Sequence, residues 1–198
     1  MKHDRRQEIL LAAMQLFAKK GFRGTTTRDL ATQAEVNEAI IFRHFATKEA
    51  LYNAILEFKA GQVRAVRHEV IEQLAAGSDD RTFFETVGRT FLATHEADST
   101  FMRLLLFSAL EGHELSDMFM ASMLEKNPFA AYIERRIEEG AFRPMNAELA
   151  ARGFFGMFAT YVLWQEIFGL KKTQPHDREE VITTFVSIFL SGMIKESK

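Results

Sequence analysis

Residues 25–48 constrain the fold most strongly, because they carry the signals of two short helices joined by a tight turn. Thr26 or Thr27 can cap the first helix through its hydroxyl group, and Asn37 can cap the second helix through its side-chain oxygen. Thr47 can cap a third helix that begins at the end of the segment. Two short helices at this spacing, followed closely by a third, predict a helix-turn-helix.

Lys48 falls in the first turn of that third helix, where its positive charge is unfavourable against the helix dipole. A phosphate bound at this helix start would remove the penalty, because the backbone N–H groups and the ammonium group would both face it. The threonines at the other end of the segment also place hydroxyl and N–H groups at a helix start. The segment therefore offers two anion-binding ends, and phosphate contacts there would let the intervening helix read the major groove.

The helix-turn-helix interpretation assigns the side chains of the segment to two kinds of DNA contact. The candidates for contacts inside the groove are Thr27, Arg28, Ile40, Arg43 and His44. The candidates for positioning on the sugar–phosphate backbone are Thr25, Thr26, Asn37, Phe42 and Lys48. Glu38 and Ala39 complete the predicted surface, where Glu38 could accept from a cytosine amino group but would repel phosphates. The alternative interpretation is a structural helical hairpin that contacts no DNA.

An amphipathic helix over residues 5–20 is predicted before this segment. Its apolar stripe has the spacing of one helix face and consists of Ile9, Leu10, Ala13, Leu16 and Phe17. Gly21 suits the left-handed position just after a helix, and Phe22 can fold back on Phe17. This helix would cover the apolar side of residues 25–48 and complete a three-helix head.

Residues 5 to about 52 resemble a known family in the spacing of their apolar, glycine and basic positions. The matching residues are Ile9, Leu10, Ala13, Leu16, Phe17, Lys20, Gly21, Phe22, Thr25, Thr26, Leu30, Ala31, Ala34, Val36, Phe42, Arg43, His44, Phe45, Lys48, Glu49 and Leu51. The pattern resembles the DNA-binding head of the tetracycline-repressor (TetR) family. The resemblance implies a homodimeric bacterial transcription regulator, usually a repressor, that a small ligand releases from a double-stranded DNA operator.

The head departs from the family pattern at four positions. Glu35 replaces a frequent glycine in the turn, and Glu38 and Ala39 stand where a basic or small residue and a glycine are common. Phe42 replaces a frequent tyrosine, whose hydroxyl would bond a phosphate. These changes bear on the operator sequence and affinity more than on the fold.

The charge is distributed unevenly along the chain. Residues 1–48 hold nine Lys and Arg against five Asp and Glu, whereas the remaining residues hold 16 against 22. A basic head on an acidic body indicates that only the head meets nucleic acid.

The body is predicted to be entirely helical. Pro128 forces a break near Asn127, and residues 147–168 are apolar on nearly every face, so most of those faces must be buried. A second apolar helix, from about Val181 to Met193, follows. Because two such helices exceed what one small domain needs to cover, we expect a two-fold four-helix bundle between two copies of the chain.

The predicted fold is therefore all-α, with about nine helices in two domains. Residues 1–47 would form a three-helix helix-turn-helix DNA-binding domain, and residues 48–198 an effector-binding and dimerisation domain. The body also holds most of the 19 Phe and nine Met residues, which adapt well to apolar or aromatic ligands. The candidates for lining such a pocket are Met102, Phe107, Met118, Phe119, Met123, Phe155, Phe158 and Tyr161. The alternative is that these residues are simply core.

Three further possibilities were weighed: a metal site, an enzyme and a ligand-binding protein. His113 and Asp117 stand four residues apart, but two ligands do not define a metal site, so we expect neither a metal nor a cofactor. A small helical enzyme using His95 or His113 with Glu111 lacks any nucleophile, phosphate loop or cofactor fingerprint. A dimeric ligand-binding protein that has lost DNA affinity is the other alternative.

The sequence also indicates a cytoplasmic protein. It contains no cysteine, which excludes disulfides and thiolate metal sites. The N-terminus has no apolar signal core, and the longest uncharged apolar run, residues 153–164, is shorter than the roughly 18 residues of a membrane span. We expect no membrane partner.

Overall fold

A computed structural model describes residues 5–55, 57–59, 61, 71, 77, 79–112 and 127–194. Its helices are α1 (Arg5–Lys20), α2 (Thr27–Gln33), α3 (Glu38–His44), α4 (residues 48–55 and 57–59 of those described), α5 (Asp80–Ala97), α6 (Thr100–Glu111), α7 (Pro128–Glu138), α8 (Ala147–Val162) and α9 (Arg178–Met193). Within these ranges the chain forms no strand, apart from an isolated antiparallel bridge between Phe142 and Ile194. The predicted all-α architecture is confirmed.

The chain packs as two compact units. Unit 1 comprises Met1–Arg64 and Thr100–Met123, and unit 2 comprises Ala65–Ser99 and Leu124–Lys198. Unit 1 therefore contains the head helices together with α6, which the sequence places in the body. The predicted domain boundary after residue 47 follows chain order and stays a prediction.

The core of unit 1 is organised by the apolar stripe of α1. Ile9 and Phe17 are fully buried, together with Leu30 of α2 and Ile41 of α3. Phe17 packs edge-on against Tyr52 of α4 at a centroid distance of 4.9 Å and stacks on Phe22 at 5.9 Å. The predicted return of Phe22 onto Phe17 is thus confirmed. Burial of each large side chain stabilises the unit by roughly 1.5–3 kcal/mol.

The core of unit 2 is aromatic. The fully buried rings are Phe83, Phe84, Phe129, Phe142, Phe154 and Phe158. Phe83 stacks on Tyr132 with their ring centroids 3.7 Å apart, and Phe129 lies 4.9 Å from Phe154. Most of the phenylalanines on α5, α7 and α8 are therefore packing residues, as the core alternative holds.

Two local predictions in unit 2 have different outcomes. α7 begins at Pro128 with Asn127 as its N-cap, which confirms the predicted break. The predicted helix over residues 147–168 is α-helical only to Val162, and a π-helix continues it over Leu163–Ile167. A short 3-10 helix, Leu170–Lys172, then leads towards α9. Among the described helices, none combines the length and apolarity that crossing a bilayer requires.

Candidate nucleic-acid interface and effector cavity

The start of α2 is fixed by a reciprocal capping box. The Thr26 hydroxyl oxygen accepts from Asp29 N–H at 3.1 Å, and Asp29 Oδ2 accepts from Thr26 N–H at 3.0 Å. The Asp29 carboxylate also accepts from the Thr26 hydroxyl at 2.9 Å, and the bonds that it accepts from Thr26, together with an ion pair with Lys20 at 3.2 Å, lower the pKa of Asp29 to about 2. Thr26 is therefore the cap, and Asp29, a residue outside the predicted site, holds it in place.

The turn between α2 and α3 needs a left-handed residue. Glu35 adopts it with φ of 52°, at the position where the family pattern has glycine. A left-handed conformation costs a non-glycine residue about 1–2 kcal/mol, but the turn is held by Val36 N–H, which donates to Ala31 O at 3.0 Å. Asn37 then caps α3, because its Oδ1 accepts from Ile40 N–H at 2.9 Å. The predicted Asn37 cap is confirmed.

A side-chain hydrogen bond joins the first residues of the two helices. The Thr27 hydroxyl donates to Glu38 Oε2 at 2.6 Å. The carboxylate of Glu38 is therefore directed towards the start of α2, and the Thr27 hydroxyl is already engaged. The Thr27 hydroxyl would have to leave this bond before it could donate to a base.

The predicted DNA-contact residues differ in their exposure. Thr26, Arg28, Asn37, Glu38, Ala39, Phe42 and Arg43 are exposed, whereas Thr27, Ile40, His44 and Lys48 are half-buried. The Nε2 atom of His44 is buried, and within the described part of the chain it has no hydrogen-bond partner. The outward face of α3 therefore presents Glu38, Ala39, Phe42 and Arg43, while Ile41 is buried in the core and Ile40 packs against that core.

Thr25 and Lys48 are directed into the protein. Thr25 is 1% exposed and its hydroxyl donates to Gly21 O at 2.8 Å. The Lys48 ammonium donates to Phe22 O and Thr25 O, each at 3.0 Å, and lies 4.1 Å from the centroid of the Phe22 ring. The carbonyl groups at the end of α1 and in the following turn need donors, and these two side chains supply them. A free phosphate is therefore not required to explain a lysine at this helix start.

Glu111, at the end of α6, is a positioning residue that sequence reasoning missed. Its carboxylate accepts from Phe22 N–H at 3.0 Å and from Arg23 N–H at 3.2 Å. The Arg23 guanidinium in turn donates to Glu111 O at 3.3 Å. Gly21 allows this approach, since a Cβ there would lie 2.6 Å from Glu111 Oε1. Glu111 thus holds the α1–α2 turn.

Five of the eight predicted pocket residues lie in the described part of the chain, where they belong to two different units. Met118, Phe119 and Met123 lie outside the described residues, as do His113 and Asp117 of the weighed metal site. Met102 and Phe107 lie on α6 in unit 1, and Phe155, Phe158 and Tyr161 lie on α8 in unit 2. Phe158 is fully buried and its ring lies 5.0 Å from that of Phe154. Tyr161 is the member of the set that lines a cavity of unit 2.

That cavity has a volume of about 590 Å³ and opens to the surface between α8, α9 and the segment joining them. Its lining residues are Gly156, Met157, Thr160, Tyr161, Trp164, Gln165, Leu170, Gln174, His176 and Phe185. Sequence reasoning missed most of them, because the π-helix and the loop after it give no periodic signal. We refer to this space as the α8–α9 cavity.

The residues weighed for metal binding and catalysis have structural roles where they are described. In the whole described part of the chain, no group of three His, Cys, Asp or Glu side chains is arranged to hold a metal ion. His95 Nδ1 lies 2.8 Å from Phe91 O, and its ring stacks on that of Phe91 at 4.2 Å. Burial lowers the pKa of His95.

The capped α2–turn–α3 arrangement on an α1 platform defines a helix-turn-helix transcription regulator. The family model "Bacterial regulatory proteins, tetR family" matches residues 9–55, and the model "AefR-like transcriptional repressor, C-terminal domain" matches residues 84–192. The second match alone spans more than half of the chain. The protein therefore belongs to the TetR family of bacterial transcriptional repressors. Members of this family are transcription factors, so the enzyme alternative is excluded.

Individual relatives agree with this assignment. The chain is 25% identical over 201 residues to the HTH-type transcriptional repressor KstR2 of Mycobacterium tuberculosis, covering 98% of this chain and 95% of that one. The solved structure of that ketosteroid transcriptional regulator gives a TM-score of 0.71 at 20% identity, covering 99% and 98%. FadR from Bacillus subtilis in complex with stearoyl-CoA gives a TM-score of 0.72 at 20% identity, covering 94% and 98%. These structural likenesses show the fold.

Proposed function

We propose that the protein represses transcription as a homodimer bound to a near-palindromic operator, and that a small apolar ligand releases it. The observation that carries the DNA-binding part is the outward face of α3. Ala39, Phe42 and Arg43 are exposed on a helix that is capped by Asn37 and anchored by Ile41. A short capped helix presented in this way fits the major groove, with its neighbour α2 on the phosphate backbone.

The proposed DNA contacts fall into groups according to how exposed each side chain is. Arg28 and Arg43 supply cations for phosphates or guanine edges, and the exposed Phe42 ring suits a thymine methyl group. The exposed Thr26 and Asn37 lie at helix starts, where N–H groups favour phosphates. Thr25 and Lys48 act indirectly, because they fix the turn that orients α2. Thr27, Glu38, Ala39, Ile40 and His44 remain candidate base contacts.

The proposal of a homodimer is supported by exposed apolar side chains of unit 2. Leu149, Trp164, Phe168 and Ile188 are 62%, 54%, 69% and 60% exposed, respectively. We call this set the apolar face of α8 and α9. We take these side chains as the contact surface for a second copy, since a large exposed apolar surface marks an interaction site. Gly153, on the same side of α8, leaves open space above its backbone, so a second pair of helices can approach closely.

The proposal of an apolar ligand is supported by two relatives and by the aromatic core of unit 2. One relative is a ketosteroid regulator and another was solved with stearoyl-CoA. A ligand that favours one conformation of the body would shift the population towards a head arrangement that no longer fits the operator.

DNA binding can be tested by fluorescence anisotropy with the DNA upstream of the protein's own gene, at two salt concentrations. The Arg43→Ala variant should bind roughly 5- to 150-fold more weakly than the wild type, since one lost base contact costs about 1–3 kcal/mol. The matched control is Lys172→Ala, which removes an exposed cation from unit 2 and should bind like the wild type. Wild-type binding should weaken as salt rises, because bound cations displace counterions.

Two outcomes of this experiment, and one of a separate sedimentation measurement, would contradict the proposal. Equal affinities for the Arg43 and Lys172 variants would remove α3 from the interface. A protein that binds apolar ligands but no DNA at either salt concentration would support the ligand-binding alternative. Sedimentation that shows only monomers at micromolar concentration would remove the homodimer.

A further inference from the structure

The side chains of Thr27 and Glu38 form a pair at the junction of α2 and α3. The Thr27 hydroxyl donates to Glu38 Oε2 at 2.6 Å, although the two residues are 11 positions apart in the chain. Thr27 is half-buried and Glu38 is exposed. The other carboxylate oxygen, Oε1, accepts no hydrogen bond from any residue that the structure describes. One oxygen of this carboxylate is therefore held, and the other is available to a second donor.

Glu38 lies at the end of α3 that reads bases in a helix-turn-helix. It is the first residue of α3, directly after the Asn37 cap, and the N-terminal residues of the second helix are those that contact base edges. Within the described part of the chain, no lysine, arginine or histidine forms an ion pair with Glu38. A carboxylate without a cation is repelled by DNA phosphates. A base that donates to Oε1 would offset this repulsion.

The major-groove edges of the four bases differ in what they offer a carboxylate. Guanine presents two acceptors, N7 and O6, and thymine presents the O4 acceptor and a methyl group. Adenine presents an amino donor, but its N7 acceptor lies beside that donor and repels the carboxylate. Cytosine presents its N4 amino group and no acceptor of its own. Cytosine is therefore the base that suits Glu38.

We propose that Glu38 selects a cytosine in each half-site of the operator, with Oε1 accepting from the cytosine N4 amino group. Thr27 is the positioning residue, because its hydroxyl holds Oε2 and so restricts rotation of the carboxylate. A side chain that is already held loses less rotamer entropy when it binds. The proposal rests on the operator binding proposed above and names one base of that operator.

A purely structural role is the competing explanation for Glu38. A carboxylate in the first turn of a helix is stabilised by the helix dipole, and the bond to Thr27 joins α2 to α3. Either effect changes the binding of every DNA sequence by the same factor. Recognition of cytosine instead changes the ratio of affinities for two operators that differ in one base. This ratio is the readout of the test.

The operator is first identified by selecting random double-stranded DNA on the full-length protein. Each cytosine enriched in one half-site is then replaced, one at a time, by 2-pyrimidinone, which lacks the 4-amino group and leaves the opposing guanine in place. At one position the replacement should weaken wild-type binding about tenfold in fluorescence anisotropy. That factor equals about 1.4 kcal/mol, close to the contribution of one hydrogen bond to a charged group. A selected half-site without an enriched cytosine would overturn the proposal without any variant.

Two glutamate variants assign the effect to Glu38. Glu38→Ala removes the acceptor, so the same replacement should change its affinity less than about twofold. Glu35→Ala is the matched control, because Glu35 is an exposed carboxylate just before α3, and it should keep the ratio of about tenfold. A general gain in affinity from the lost negative charge cancels in this comparison, as does any weakening of the base pair by the analogue. If Glu38→Ala keeps the wild-type ratio at every enriched cytosine, the proposal is overturned.

Two threonine variants test the positioning role of Thr27. Thr27→Ser keeps the hydroxyl and should keep the wild-type ratio. Thr27→Val keeps the shape of the side chain but removes the donor, so the ratio should fall to about threefold, with the carboxylate present but no longer held. A wild-type ratio in Thr27→Val would overturn the role of Thr27. Circular dichroism melts show whether each variant is folded, and the glutamate comparison stands if Thr27→Val is not.

The outcomes separate this proposal from the proposed function. A selection that enriches no sequence, together with no DNA binding at either salt concentration, overturns the regulator function and the cytosine contact with it. An enriched palindromic operator whose cytosines show no dependence on Glu38 overturns the cytosine contact alone.

Discussion

Removing the Glu111 carboxylate should loosen the turn between α1 and α2. This carboxylate is the acceptor for two successive backbone N–H groups, those of Phe22 and Arg23, at 3.0 and 3.2 Å. The two groups follow the end of α1 and precede the capping box of α2. The Glu111→Ala change therefore leaves both donors to water or without a partner.

The expected magnitude follows from the exposure of the two bonds. A hydrogen bond to a charged group contributes about 1.5–3 kcal/mol. The bond from Phe22 is half-buried and that from Arg23 is exposed, so we take about 1.5 kcal/mol for the first and about 0.5 kcal/mol for the second. Glu111→Ala should thus destabilise the protein by about 2 kcal/mol. Glu111→Gln keeps one acceptor oxygen and should cost about half as much.

The sign of the effect separates this contact from local helix preferences. Glu111 is the last residue of α6, where a negative charge is unfavourable against the helix dipole. Alanine is also a better helix former than glutamate. Both local effects would make Glu111→Ala stabilising. A loss of stability must therefore come from the contacts with the α1–α2 turn.

Two measurements test the reasoning. In a chain of this size about 2 kcal/mol corresponds to a drop of roughly 4–8 °C in the thermal midpoint. Hydrogen exchange should also accelerate at the amides of Phe22 and Arg23. Glu134→Ala on α7 is the control, because Glu134 is exposed and such changes are usually within about 0.5 kcal/mol. If Glu111→Ala is as stable as the control and both amides keep their protection, the contact does not hold the turn.

Two further predictions concern other parts of the fold. The pKa of Asp29 is lowered from 3.8 to about 2 by Thr26 and Lys20, so its contribution to stability is present above about pH 4 and lost as pH falls towards 2. Asp29→Asn should therefore flatten this part of an acid denaturation series. At Gly88 a Cβ would lie 2.6 Å from Phe158 Cζ, so Gly88→Ala should destabilise by about 1–3 kcal/mol in urea. Gly192→Ala meets open space and should not destabilise.

Local signals predicted the local structure of the head. The capping residues Thr26 and Asn37 and the left-handed Gly21 depend on a few neighbouring residues, and the structure confirms each of them. The stripe of α1 predicted its buried face for the same reason. These features carry the helix-turn-helix, so its fold could be predicted without the structure.

Contacts between distant residues could not be predicted in this way. Glu111 is 88 residues from Arg23, and nothing in the spacing of either segment pairs a carboxylate with those amides. Lys48 is a related case, because its position against the helix dipole predicted a phosphate contact. In the structure the same ammonium group donates to two carbonyl groups of the α1–α2 turn, those of Phe22 and Thr25. A charge in an unfavourable local position indicates that it has a partner, but not which partner.

The pocket predicted from the sequence shows why an apolar stripe is a weak predictor of binding. Phe158 was a pocket candidate by its residue type, yet its ring is fully buried among other rings and fills space beside Gly88. Phenylalanine and methionine can satisfy one another, so their presence does not separate a core from a pocket. A buried acceptor such as Gln165 Oε1 cannot be satisfied by apolar neighbours. A buried acceptor without a described donor is therefore a more selective sign of an unusual position than an apolar stripe, and it appears only once the π-helix has placed Gln165 inside.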